Sequence, residues 1–120
     1  MLLLTLVACQ PETPSACTTM CGSAAELYGG CLEGWGVDWS AAGFDDEAAF
    51  VSSCETWAWE MTLLEADAVD RGEIEEGGWL EPLCVQRNAA FSADDATCEA
   101  YTTIDWNDTP WQAPEDTGGG

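Results

Sequence analysis

Residues 46–70 read DEAAFVSSCETWAWEMTLLEADAVD, the most regular stretch of this 120-residue chain. Its apolar residues recur at steps of three and four, the spacing of one face of an α-helix. Asp45 is the expected N-cap, and Asp46 and Glu47 place negative charge at the positive end of the helix. The stretch therefore predicts a long amphipathic helix whose apolar stripe consists of Phe50, Cys54, Trp57, Met61, Leu64 and Ala68.

Two large apolar residues of the same stretch lie off this stripe. Trp59 and Leu63 are four residues apart, so they share a different face of the predicted helix. Two interpretations remain open: a further helix covers them, or they are exposed.

A second helix is predicted upstream, over residues 14–32. Thr13 is the expected N-cap, and Pro14 occupies the first helical position, where proline is favoured. Gly29 and Gly30 should weaken the last turn. Three glycines and one serine punctuate residues 33–44, which predicts a loop that carries two tryptophans.

Downstream, residues 71–78 predict a turn and residues 79–90 a third helix. Ser92 to Asp95 resembles a capping box with Asp in place of Glu or Gln, so a fourth helix is expected to start at Ser92. No stretch shows the sustained alternation of β-branched residues that is typical of strands.

The N-terminal residues 2–8 are apolar except for Thr5 and end at a cysteine. Leu6-Val7-Ala8-Cys9 resembles the lipobox of bacterial lipoproteins. The resemblance implies that residues 1–8 are removed as a signal peptide and that Cys9 carries the lipid. The basic segment that opens a signal peptide is missing, so we expect this one to be truncated, with the start codon upstream.

Setting Cys9 aside leaves an even number of cysteines. An export signal places the domain in an oxidising compartment, where disulfides form. A thiolate metal site is disfavoured because the chain has no CxxC motif and no histidine. We therefore predict three disulfides, with the pairing left open, among Cys17, Cys21, Cys31, Cys54, Cys84 and Cys98.

The predicted fold class is all-α: a small disulfide-stapled bundle of three or four helices with aromatic-containing loops. The predicted domain order is a signal peptide over 1–8, a lipidated cysteine and tether over 9–14, and a Cys-rich helical domain over 15–105. Residues 106–120 predict a polar, Trp-containing disordered tail.

The composition excludes several function classes. Acidic residues outnumber basic ones 23 to 2, giving a formal net charge of −21, and both histidine and lysine are absent. Nucleic-acid binding needs clustered basic residues. Ser-His-Asp catalysis needs histidine, and Schiff-base chemistry needs lysine. We therefore predict a protein that is not an enzyme, has no cofactor and binds no nucleic acid.

Five tryptophans are candidates for interaction with a partner, because aromatic residues are enriched in interface cores. The alternative is that large aromatic side chains cover helix ends of a small core. The five are Trp35, Trp39, Trp59, Trp106 and Trp111.

A calcium site is a weaker candidate. Residues 67–78 match the EF-hand loop at its first position and at its glycine, but Val69, Arg71 and Gly78 occupy ligand positions. The carboxylates that would remain as ligands are Asp67, Asp70, Glu73 and Glu75.

These observations predict a secreted lipoprotein of the cell envelope, anchored to the bilayer through acylated Cys9. Its expected role is protein interaction or structure, and the expected partner is an envelope protein with a basic surface. The alternative is a small ligand-binding module for divalent cations such as Ca²⁺, or for glycans.

Overall fold

The structure, a computed structural model, describes residues 11–111. This part of the chain is all-α and contains no strand, which confirms the predicted fold class. Cys9 and the lipobox lie outside the described residues. The elements are α1 (Ser15–Trp35), a 3₁₀ helix (Trp39–Ala42), α2 (Glu47–Asp70), α3 (Leu80–Ser92) and the one-turn α4 (Glu99–Thr102).

Helix α1 lies at the centre of the bundle. It packs most extensively on α3 and next on α2, whereas α2 and α3 barely touch each other. The apolar stripe predicted for α2 faces this core, with Leu64 and Trp57 half-buried. The core is built from residues of all three long helices, among them Met20, Ala24, Phe50, Ala58, Met61, Leu80 and Phe91.

Three disulfides join α1 to the rest of the described chain. Cys17–Cys84 links it to α3, Cys21–Cys54 links it to α2, and Cys31–Cys98 links it to the residue before α4. All six predicted cysteines are therefore paired. Each bond closes a long loop and therefore lowers the conformational entropy of the unfolded chain. In the chain-entropy description this stabilises the folded state by about 4 kcal/mol for each bond.

The N-terminal caps differ from the predicted ones. Asp46, not Asp45, caps α2, and its carboxylate accepts a hydrogen bond from the Ala49 backbone N–H at 2.8 Å. Pro14, not Thr13, occupies the cap position of α1, and no side chain caps that helix end. The Cys17 N–H instead donates to the Pro14 carbonyl at 3.0 Å, so the backbone satisfies one of the N–H groups of the first turn.

Helix α1 runs three residues beyond its predicted end. It continues through Gly29 and Gly30 because Cys31 and Leu32 are buried in the next turn. It ends at Gly36, whose φ of 75° lies in the left-handed region that glycine adopts readily.

The expected fourth helix does not start at Ser92. That residue is the last of α3, and its hydroxyl donates a hydrogen bond to the Asn88 carbonyl instead of capping a new helix. Helix α3 continues this far because Phe91 is buried in the core. Residues 93–98 then lead to α4.

The packed part of the chain extends past the predicted boundary at residue 105. The backbone carbonyl of Trp106 accepts a hydrogen bond from the Trp57 indole N–H at 2.8 Å, and Trp111 is only 6% exposed. The prediction of a disordered tail is therefore wrong for residues 106–111, because two tryptophans anchor them to the bundle. Residues 112–120 lie outside the described part.

Candidate functional site

An open cavity of about 200 Å³ lies between α2 and the segment that contains α4. We call it the aromatic cleft, because five aromatic rings form most of its wall. Four of these rings are half-buried, so each leaves part of its surface accessible from the cleft. The five are Phe44, Phe50, Trp57, Tyr101 and Trp106.

The five rings form a continuous arc. Phe44 meets Phe50 at 5.2 Å between centroids, Phe50 meets Tyr101 at 5.7 Å, and Tyr101 meets Trp106 at 5.5 Å. Trp57 completes the arc with an edge contact to Trp106 at 4.9 Å. Neighbouring ring planes are inclined by 49° to 83°, so no two adjacent rings of the arc stack face to face.

Few polar groups border the aromatic cleft. Its two remaining lining residues are Ser53 and Cys54, the latter bonded to Cys21. None of its lining residues, all within the described part, is Asp, Glu, Lys or Arg. The indole N–H of Trp57 is already engaged with the Trp106 carbonyl. The cleft is therefore apolar, with little capacity for hydrogen bonding.

Arg87 of α3 reaches one wall of the cleft from outside. Its guanidinium carbon lies 4.9 Å from the centroid of the Trp106 ring, which is a cation–π contact. Burial lowers the pKa of Arg87, and the charges of Asp108 and Asp105 oppose this shift. Its buried Nη1 makes no hydrogen bond within the described residues, so the ring face is a principal contact of this cation.

Tyr101 is the titratable group of the arc. Burial, followed by the nearby Tyr28, raises its pKa to about 12. Its ring contacts those of Tyr28, Phe50, Phe91 and Trp106. The hydroxyl therefore remains neutral at any physiological pH.

The outer face of α2 carries a second candidate site. Trp59 and Leu63 are 40% and 43% exposed, so no further helix within the described chain covers them. Glu55 and Asp67 continue the same row at intervals of four residues and are also exposed. We call this row, Glu55 to Asp67, the outer ridge: two apolar side chains bracketed by two carboxylates.

The other tryptophan candidates separate into exposed and packed side chains. Trp35 is 54% exposed at the end of α1. Trp39 folds back over α1, and a Cβ on Gly29 would approach its ring to 3.2 Å. Trp111 packs edge-on against Trp79, with centroids 4.7 Å apart. Trp39 and Trp111 thus cover the core, as does one side of Trp106.

The calcium candidates lie around an arginine. Arg71 forms ion pairs with Asp67 and Glu73, which places a positive charge between two of the four proposed ligands. Asp70 and Glu75 are exposed. Within residues 11–111, no group of three or more potential ligand side chains converges on one point.

A buried carboxylate lies near that turn. Glu65 of α2 accepts hydrogen bonds from the backbone N–H groups of Trp79 and Leu80, at 3.0 and 2.9 Å. It also borders a wide groove of about 860 Å³ that the segment 11–15 flanks. Because both hydrogen bonds cap the first turn of α3, we assign Glu65 a structural role and not a ligand-binding one.

Comparison with protein-family models, with curated proteins and with solved structures finds no match for this chain. Among the described helices, none is both long enough and apolar enough to span a bilayer.

Sequence reasoning missed most of the aromatic cleft. It selected Trp106, but it assigned Trp57 to the core and gave no role to Phe44 or Arg87. These residues are distant along the chain, and no spacing rule joins them. The abundance of aromatic residues outside helix stripes was the one signal that pointed towards such a site.

Proposed function

We propose that this chain is a non-enzymatic lipoprotein of the cell envelope that binds a basic protein partner. In this proposal Cys9 is acylated and anchors the disulfide-stapled bundle to the membrane. The lipobox-like Leu6-Val7-Ala8-Cys9 supports the anchor. The pairing of all six other cysteines is consistent with an oxidising compartment.

The observation that carries the partner-binding role is the outer ridge of α2. Trp59 and Leu63 present apolar area next to each other, and large aromatic residues supply much of the binding energy in interfaces. Glu55 adds negative charge at one end of the ridge, whereas the Asp67 carboxylate at the other end is already paired with Arg71. A complementary surface has two apolar contacts and a Lys or Arg opposite Glu55.

The net charge favours a basic partner over a second copy of the chain. A formal charge of −21 makes two copies repel each other, whereas it attracts a cationic surface and accelerates encounter with it. The same charge repels nucleic acid and anionic lipid headgroups. The expected partner is therefore a protein with a basic, partly apolar face.

Two measurements test this proposal. The first is the non-reducing intact mass of the protein from its native membranes. We expect a chain that begins at Cys9, carries a diacylglyceryl group and lacks two hydrogens for each disulfide. An unlipidated chain with reduced cysteines would refute the envelope assignment.

The second is cross-linking in native envelopes, with Trp59→Ala compared with Val85→Ala. Val85 is 54% exposed on α3 and serves as the matched control away from the outer ridge. We expect one stoichiometric partner whose recovery falls with Trp59→Ala and with added salt, but not with Val85→Ala. Equal recovery with both variants would exclude the outer ridge as the interface.

A second candidate function is a small ligand-binding module for a divalent cation or a glycan. The aromatic cleft favours ligand binding in general, because concave apolar cavities are common ligand sites. The position of Arg71 between Asp67 and Glu73 disfavours Ca²⁺ at the predicted turn.

A further inference from the structure

We infer that the aromatic cleft binds a quaternary ammonium group. This inference goes beyond the proposed partner binding and does not depend on it. Trp57 of the cleft and Trp59 of the outer ridge are two residues apart on α2 and therefore point to nearly opposite sides of the helix. The two sites can be tested separately.

The ring arc provides the chemistry that such a cation requires. The face of an aromatic ring carries negative charge density, and cages of several rings attract quaternary ammonium ligands. Here five rings follow one another around a concave wall, with centroids 4.9 to 5.7 Å apart. Two of them are tryptophans, whose ring face attracts cations most strongly.

Arg87 indicates that this wall accepts a cation. Its guanidinium already lies against the Trp106 ring at 4.9 Å. Arg87 is not among the residues that line the cleft, and the negative charges of Asp108 and Asp105 act on it. The lining of the cavity itself contains five aromatic rings and no positive charge.

The scarcity of hydrogen-bond acceptors in the cleft favours a cation without N–H groups. A lysine ammonium or an arginine guanidinium brings several N–H donors, and desolvating them without acceptors is unfavourable. No carboxylate lines the cleft to accept them. A trimethylammonium group carries a charge but no N–H, so the apolar wall satisfies it.

The same scarcity disfavours a glycan. A sugar ring carries several hydroxyls that need partners when they are buried. The cleft offers the hydroxyls of Ser53 and Tyr101, whereas the Trp57 indole N–H is already engaged. The cavity volume of about 200 Å³ also suits a single small headgroup better than an oligosaccharide.

The net charge of the chain adds a general attraction for cations. A field from −21 charges raises the local concentration of cations at the surface, although salt screens it. The quaternary ammonium group has two natural sources: a free trimethylammonium compound, or the choline headgroup of a lipid. Both present the same group to the cleft, so the experiment must separate them.

The test is calorimetric titration of the full disulfide-bonded chain, with Cys9→Ser to remove the acylation site. The probes are tetramethylammonium, choline and 3,3-dimethylbutanol, the neutral isostere of choline. We expect one saturable site for both cations, with a Kd of roughly 1 mM or lower, and binding of the neutral isostere about tenfold weaker. Equal affinity for choline and its neutral isostere would overturn the inference, as would the absence of saturable binding.

Two variants locate the site. Ser53→Leu fills the cleft from the exposed side of α2, so choline affinity should fall at least about tenfold while thermal unfolding is unchanged. Trp106→Phe keeps a ring with a weaker attraction for cations and should weaken choline binding severalfold. Trp59→Ala is the control and should leave choline affinity unchanged. Undiminished choline binding by Ser53→Leu would show that the cation binds elsewhere.

Vesicle flotation distinguishes the two sources. Binding to phosphatidylcholine vesicles, but not to phosphatidylglycerol vesicles, together with loss of binding in Ser53→Leu, assigns the cleft to a lipid headgroup. Binding of choline without binding to phosphatidylcholine vesicles assigns it to a free trimethylammonium compound.

Discussion

The carboxylate of Glu65 on α2 accepts a hydrogen bond from the backbone N–H of Leu80, the first residue of α3, at 2.9 Å. The same oxygen accepts the Trp79 N–H at 3.0 Å. A residue from one helix thus caps the start of another, and it places negative charge at the positive end of α3. This contact matters because α2 and α3 otherwise barely touch.

Glu65→Ala should lower the free energy of unfolding by about 1–3 kcal/mol, because Leu80 is fully buried and its N–H would lose its acceptor. Glu65→Gln keeps an acceptor oxygen and should lower it by less. Urea denaturation measures both, with Glu55→Gln on the exposed outer ridge as the control. If Glu65→Ala and Glu55→Gln had the same midpoint, the cap would contribute nothing.

The disulfide pairing is directly testable. Proteolysis under non-reducing conditions should release linked peptides for Cys17–Cys84, Cys21–Cys54 and Cys31–Cys98. Any other pairing would contradict the structure.

Removing Cys31–Cys98 by a double change to Ser should lower the free energy of unfolding by roughly 2–4 kcal/mol. The same double change should also weaken choline binding. The disulfide holds Cys98 directly before α4, and α4 carries Tyr101, which lines the cleft.

Trp111 and Trp59 can be compared to separate the two roles considered for the tryptophans, which are covering the core and contacting a partner. Trp111 is 6% exposed and packs against Trp79, so Trp111→Ala should destabilise the bundle by about 3 kcal/mol. Trp59→Ala should stay within about 0.5 kcal/mol, because that side chain is exposed. Thermal unfolding of both variants checks this. Equal losses would mean that Trp59 also serves the core.

Tyr101 makes stability depend on alkaline pH. Its pKa is raised to about 12 in the folded chain, whereas an unfolded tyrosine titrates near 10. Between these values the folded state holds the proton that the unfolded state has lost, so stability should fall as pH rises from about 10 to about 12. Urea midpoints across this range measure the effect. Tyr101→Phe should show a shallower decline, and an identical decline would place the cause elsewhere.

Salt should stabilise the bundle. Twenty-three acidic residues against two basic ones repel each other in the folded state, and added ions screen this repulsion. The melting temperature should therefore rise with sodium chloride. Sodium sulfate at equal ionic strength provides the control, because a purely screening effect is then the same for both salts. A melting temperature that falls with salt would show that ion pairs such as Arg71–Asp67 outweigh the repulsion.

The sequence by itself determined the fold class. Apolar residues recur at steps of three and four within residues 46–70, and again at Cys17, Cys21, Ala24, Tyr28 and Cys31. This period is strong enough to place α1 and α2 and to orient their apolar faces. The even number of cysteines, read with the export-like N-terminus, indicated disulfides. These properties are local or compositional, so they need no knowledge of the tertiary structure.

The tertiary structure decided the disulfide pairing, the helix ends and the aromatic cleft. Helix α1 continues past Gly29 and Gly30, and α3 extends as far as Ser92, because burial of Leu32 and Phe91 outweighs local propensity. Trp106 and Trp111 pack because residues more than thirty positions away supply their contacts. The cleft joins Phe44, Trp57 and Tyr101, which no periodicity relates. Such contacts depend on the angles and positions at which the helices cross. The spacing of residues along the chain does not determine this geometry.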